Sequence, residues 1–153
     1  MKTQEMVKIK GSVKVELFGP DGKLKKSHIN KNLVVTVGKT ALAAWLAAAT
    51  QSAPFMPYVG LGTGVGAAAA GDTALGTEFS GGGYARILGT VTSAGAVLQN
   101  VATFPAGNGT GAVTEAGLFS ALTSGTLMAR QVFSVYNKAA SDSLQITWTL
   151  TFS

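Results

Sequence analysis

Leu144-Gln145-Ile146-Thr147-Trp148-Thr149-Leu150-Thr151-Phe152 decides the fold. Leu144, Ile146, Trp148, Leu150 and Phe152 fall on one side of an extended chain. Gln145, Thr147, Thr149 and Thr151 fall on the other. A strict period of two predicts a strand with one core face and one hydroxyl-lined face. Such one-sided strands belong to antiparallel sheets.

The rest of the chain repeats this texture. Ile9, Val13, Val15 and Leu17 alternate with Lys8, Lys14 and Glu16. Gly19-Pro20-Asp21-Gly22 follows, where proline presets φ and glycine accepts positive φ. These residues predict an N-terminal basic β-hairpin over about 6–37. The alternation slips near His28 to Asn32, where a bulge or bend is expected. It resumes as the apolar run Leu33 to Val37, suited to a buried strand. Further strands are expected at Tyr58 to Gly62, Tyr84 to Thr92, Val97 to Phe104, Val113 to Ser120 and Thr126 to Val135. Loops are expected at residues 64–72, 80–83 and 105–111. One helix is expected over about residues 39–50, with Leu42, Trp45, Leu46 and Ala49 on one face and Pro54 and Pro57 ending it. The fold class is mainly β: an antiparallel β-sandwich or jelly-roll-like domain of roughly eight strands with one short α-helix. A chain of 153 residues is enough for a single domain over 1–153.

Composition bounds the function. Charged residues make up 12% of the chain, against about 25% in an average soluble domain. Glycine contributes 20 residues. So little charge on a small-residue β scaffold suits a surface covered by neighbours, hence a homo-oligomer or an assembly-bound subunit. The net charge of +5 is uneven. Residues 1–39 carry nine lysines against Glu5, Glu16 and Asp21, and residues 40–153 are close to neutral. The opening residues lack the apolar core of a signal peptide, and the run Ala41 to Ala49 is far short of the roughly 20 residues that span a bilayer. No membrane role is expected, and the chain is expected to be made in a cytoplasm.

The chemical motifs are weak. Gly38-Lys39-Thr40 follows a strand and opens a helix, as a phosphate-binding lysine does. The glycine that would start such a loop is replaced by Leu33, and strand residues fill the interval. The plainer reading is a glycine turn into a helix. Gly60-Leu61-Gly62-Thr63-Gly64-Val65-Gly66 imitates a dinucleotide fingerprint without its βαβ unit, so close backbone approach is the better account. One histidine, His28, and no cysteine leave no thiolate or histidine metal cluster. Asp72, Glu78 and Glu115 do not make a calcium loop. Asn108-Gly109-Thr110 reads as an Asn-Gly turn. No catalytic, cofactor or metal residues are assigned, and no enzyme activity is expected. The basic hairpin reads either as an edge guarded by lysines or as a contact for an acidic protein surface. Specific nucleic-acid binding is not expected, since no aromatics interleave with the lysines.

Several short phrases carry a resemblance. They are Asn32 to Lys39, Val59 to Gly64, Ala70 to Glu78, Ala102-Thr103-Phe104, Thr114 to Phe119 and Asn137 to Phe152. Over about residues 7–153 the chain resembles small virion structural proteins of tailed bacteriophages, variously capsid decoration or tail-associated proteins. The resemblance implies a virion location and a non-enzymatic role, and it carries over no individual functional residue. The first expectation is a capsid decoration (cement) protein that oligomerises on the capsid exterior and bridges the major capsid protein. Lys8, Lys10, Lys14, Lys23 and Lys25 are the candidate capsid-docking residues. The alternative is a tail or collar appendage, or a host-surface-binding subunit using the exposed loops. A virion hydrolase is a third class, without a recognisable triad or metal set.

Overall fold

The decisive strand forms as expected and sits inside the sheet. In the computed structural model, which describes residues 6–50, 55–81 and 83–153, nine strands and one helix follow in order. They are β1 (Ile9–Phe18), β2 (Leu24–Val34), α1 (Thr36–Ala47), β3 (Tyr58–Gly62), β4 (Ile87–Leu88), β5 (Thr90–Ala94), β6 (Val97–Phe104), β7 (Gly111–Phe119), β8 (Leu127–Lys138) and β9 (Ser143–Phe152). β9 is flanked on both sides, by β1 and by β6. Leu144, Ile146, Trp148 and Leu150 are all 2% exposed or less. Burying each contributes about 1.5–3 kcal/mol, and a one-residue slip would turn all four outward, so the register is strongly fixed.

All pairings are antiparallel, in the order β4-β3-β7-β8-β2-β1-β9-β6-β5. The protein is mainly β, as expected, with the sandwich layers continuous in one nearly closed sheet. β2 makes the passage between the halves. Its residues through Asn32 pair with β1, and Leu33 and Val34 pair with Arg130 and Ala129 of β8. The two edge strands, β4 and β5, are joined through Gly89 alone. The Gly89 amide donates to Pro57 O at 2.8 Å, and Asn100 Nδ2 donates to the Pro57 and Met56 carbonyls. The expected single strand over 84–92 is therefore split in two by this crossing. The main core draws Val13 and Val15 from β1, Trp148 from β9, Phe104 from β6, Leu61 from β3, Leu118 from β7 and Tyr136 from β8.

Several local expectations need correction. His28 to Asn32 pair regularly with Val15 to Gly11; the register shift lies at Leu17/Phe18, opposite Lys25. The helix starts at Thr36 and ends at Ala47, so Thr36 and Val37 leave the expected strand. The Val35 amide donates to Met128 O and the Thr36 amide to Ala70 O, which draws the chain off the sheet before the helix begins. Gly38 is not a turn residue. It lies in the first helical turn against Met128, where a Cβ would meet that residue's backbone. The helix ends before either proline; Pro54 lies outside the described residues. Its inner side carries Gly38, Ala41 and Leu42, while Leu46 is 65% exposed and Ala49 is also exposed. Among the described residues, no helix is long and apolar enough to cross a membrane.

Candidate docking surface

β1 sends Val13, Val15 and Leu17 into the core, so Lys10, Ser12, Lys14 and Glu16 point outward. The register sets Lys31 and Ile29 of β2 beside Ser12 and Lys14. On the other flank stand Thr149 and Thr147 of β9. Outward from these lie Gln99 and Val101 of β6. This gives a broad face that is basic at the hairpin and neutral, mostly hydroxyl and amide, beyond it.

The five candidate lysines occupy different environments. Lys14 pairs with Glu16 at 2.7 Å on the same face. Lys23 pairs with Asp21 at 3.5 Å in the turn, with both side chains more than half exposed, a contact worth about 0–1 kcal/mol. Lys25 donates to Asp142 Oδ2 at 2.8 Å, and the Asp142 side chain is only 1% exposed. That hydrogen bond, with a further one from the Ala139 amide, holds the Asp142 carboxyl below its ordinary value despite its burial. Lys25 thus straps the hairpin to the β8–β9 turn. Lys8 and Lys10 are exposed and pair with no carboxylate among the described residues. Two lysines not selected from the sequence join them: Lys31 on β2 and Lys39 on α1 line the same groove as Lys10. In the sequence, Lys39 stands out only within the phosphate-loop imitation Gly38-Lys39-Thr40.

The opposite half carries two ionic hubs that hold its loops, the first buried and the second half-buried. Glu115 of β7 is fully buried. Its Oε1 accepts from the amides of Gly64 at 2.9 Å and Thr77 at 2.7 Å. Its Oε2 accepts from the Gly76 amide at 3.0 Å and Arg130 Nε at 2.8 Å. Burial pushes the Glu115 carboxyl up, but these donors outweigh it and hold it below the ordinary glutamate value. Arg130 of β8 also donates to Asp72 Oδ2 at 2.8 Å and to the Gly66 carbonyl at 3.0 Å. The Ala69 amide and Arg130 together hold the Asp72 carboxyl down. Gly62 and Gly64 are glycines because a Cβ there would run into Glu115. In the second hub, Arg86 makes two hydrogen bonds to Glu78, at 2.7 and 2.8 Å. It donates further to the carbonyls of Ala121 and Ser124 and lies 3.5 Å from the centroid of the Phe119 ring.

From the sequence, Asp72, Glu78 and Glu115 stood out only as failing to make a calcium loop. The missed signal was one charge inside each of two apolar strands, Glu115 in Val113–Phe119 and Arg130 in Leu127–Phe133. Opposite charges on neighbouring buried strands are expected to pair. Chemically, all six described carboxylates (Glu16, Asp21, Asp72, Glu78, Glu115 and Asp142) are engaged with cations of the same chain. Among the described residues, no group of three or more His, Cys, Asp or Glu side chains gathers as a metal site would need.

Pinned loops, a nearly closed sheet and a broad polar face describe a β-rich domain whose loops are fixed from within by buried charges. A family model described as Podophage GP4 fiber I protein gp80 matches residues 34–148, well over half of the chain. The chain belongs to that family, and with it to the small structural proteins of the tailed-phage virion. The match begins at the end of β2, so the basic hairpin precedes it. No curated protein and no solved structure matches the chain.

Proposed function

We propose that this chain is a non-enzymatic, fibre-associated subunit of the virion's tail appendage, attached to a neighbouring virion protein through the outer face of its N-terminal hairpin. The observation that carries the reading is membership of a fibre protein family over residues 34–148. The outer face supports it: neutral hydroxyl and amide rows suit burial against other subunits, and a basic rim suits an acidic neighbour. Of the candidate lysines, Lys8 and Lys10 carry most of the docking, because Lys14, Lys23 and Lys25 already have carboxylate partners. Copies of the chain meet each other through the neutral rows, giving a homo-oligomer.

A second reading is a capsid decoration protein, seated on the capsid exterior and bound to the major capsid protein. Lys8 and Lys10, which pair with no carboxylate among the described residues, favour it, since a shell with acidic outer residues would meet them directly. Fractionating virions into heads and tails and quantifying this polypeptide against the major capsid protein decides between the two. The appendage reading expects a few copies with the tails. A head-bound amount comparable to the major capsid protein refutes it in favour of decoration, and absence from both fractions refutes both. Charge reversal at Lys8 and Lys10 is expected to weaken attachment and reduce its salt dependence; unchanged binding would remove the hairpin from the interface.

A further inference from the structure

For most of its length β2 is paired along one side only. Lys8 and Ser153 exchange both of their backbone hydrogen bonds, which fixes the alternation along β1. Even-numbered residues of β1 turn their amides and carbonyls to β9, and odd-numbered ones turn theirs to β2. Gly11, Val13, Val15 and Leu17 stand opposite Asn32, Asn30, His28 and Lys26, so these four residues of β2 give their backbone groups to β1. Ser27, Ile29 and Lys31 turn theirs the other way. β8 takes up that side only at Leu33 and Val34. Among the described residues, no other backbone group meets it.

An open strand edge invites pairing with another strand, and lysines commonly guard it. Here two of the guards are turned elsewhere. Lys25 is held by Asp142, and Lys26 Nζ donates to Val135 O at 2.7 Å. Lys31 remains on the edge, and Ile29, 61% exposed, stands at its centre.

This edge is complementary to itself. Antiparallel pairing about Ile29 sets Ile29 against its counterpart and Ser27 against Lys31 of a second copy. All three outward residues are then paired, and each pair exchanges two hydrogen bonds. Sliding one copy by two residues sets Lys31 against Lys25, or Ser27 against Leu33, which β8 already holds. Charge favours the centred register as well. On the outer face Ser27 lies beside Glu16. Lys14 Nζ holds Glu16 Oε1 and leaves Oε2. Lys31 of the second copy, one strand further out, stands about 10 Å from Glu16 along the row, within the joint reach of the two side chains across a serine. A two-fold axis makes that contact twice.

We infer that β2 pairs edge to edge with β2 of a second copy about a two-fold axis at Ile29, joining two sheets into one and burying Ile29 against its counterpart. This contact lies apart from the neutral rows through which copies meet in the reading above. It holds wherever on the virion the chain resides.

The chain has no cysteine, so a single introduced thiol reports its own neighbour. Opposed residues of a hydrogen-bonded pair lie about 5.5 Å apart at Cα, within disulfide range. Ile29→Cys in the purified full chain is expected to cross-link to a dimer under mild oxidation, and Ser93→Cys, on the β5 edge, is not. Sedimentation velocity of the unaltered chain over a concentration series is expected to show a monomer–dimer equilibrium. Ile29→Lys sets like charges at the axis and removes the apolar contact, which is expected to raise Kd by about tenfold or more. Lys31→Glu weakens the dimer, and Glu16→Lys added to it restores part of the loss. A monomer at every concentration, or a trimer, overturns the proposal. So does a dimer that Ile29→Lys leaves intact and Ile29→Cys does not cross-link, which would place the contact on the neutral rows. Virion fractionation reads where the chain resides and not how its copies pair, so the two readings fail separately.

Discussion

Glu115→Gln removes one charge and barely changes shape, which makes it a sharp probe of the first ionic hub. Oε1 serves the Gly64 and Thr77 amides, and Oε2 serves the Gly76 amide and Arg130 Nε. A glutamine has one acceptor oxygen. Whichever way its amide turns, an NH2 group faces two donors. Breaking a buried ion pair costs about 3–5 kcal/mol, and each buried donor left unmet costs about 1–3 kcal/mol. These overlap, because the same group supplies both. Arg130 also keeps Asp72 at 2.8 Å, which places the expected loss near the lower end, about 3 kcal/mol. Urea unfolding is the assay: the midpoint falls and the m-value holds. Native-state hydrogen exchange is expected to show the Gly64, Gly76 and Thr77 amides losing protection first. Arg130→Met alone is expected to cost at least as much, and the double variant Glu115→Leu/Arg130→Met less than the sum. A loss below about 1 kcal/mol in Glu115→Gln, or strict additivity in the double variant, would refute the view that the hub pins the loop.

Acid acts on the same carboxylates. Asp72, Glu115 and Asp142 all titrate below their unfolded values of 3.8, 4.5 and 3.8. Their stabilisation is therefore fully present above those values and lost as the pH falls through the lower folded ones. Urea midpoints followed against pH should fall in that acid window, and less steeply in Glu115→Gln. Gly38→Ala gains about 1 kcal/mol of helix propensity but drives a methyl into the Met128 backbone. Because backbone cannot rotate away, a net loss of about 1–3 kcal/mol is expected in thermal unfolding. Arg86→Lys keeps the charge but loses the paired bonds to Glu78 and reach to the Ala121 and Ser124 carbonyls. A loss of about 1–3 kcal/mol is expected by the same assay, with proteolysis starting in the β7–β8 turn.

What the sequence could reveal depended on how local the cause was. β9 was readable because period two is a property of consecutive residues. The first hairpin was readable because Gly19 to Gly22 close their own turn, with the Gly22 amide donating to Gly19 O at 2.9 Å. The start of α1 was not readable. Val35-Thr36-Val37 favours a strand by propensity, and contacts with Met128 and Ala70, remote in sequence, override it. The outward turn of Leu46 has the same origin, since the helix packs on β8 by its Gly38 side. The ionic hub joins residues as far apart as Asp72 and Arg130, and no local pattern announces that. Lys8 and Lys10 were legible as an alternating basic strand. Lys31 and Lys39 joined them only once β2 had passed from one half of the sheet to the other.

The ladder between β1 and β9 bears on how the molecule carries load. It runs from Ile9 opposite Phe152 to Phe18 opposite Ser143. Just beyond it, Lys8 and Ser153 exchange two backbone hydrogen bonds, of 2.6 and 2.9 Å. Tension drawing Lys8 and Ser153 apart would peel the ladder one rung at a time, each rung resisting with about 1 kcal/mol. Traction spread along the outer faces of β1 and β9 strains all the rungs together. A particle component attached at this corner alone would unzip under a tug, while one gripped across the whole face would hold as a plate.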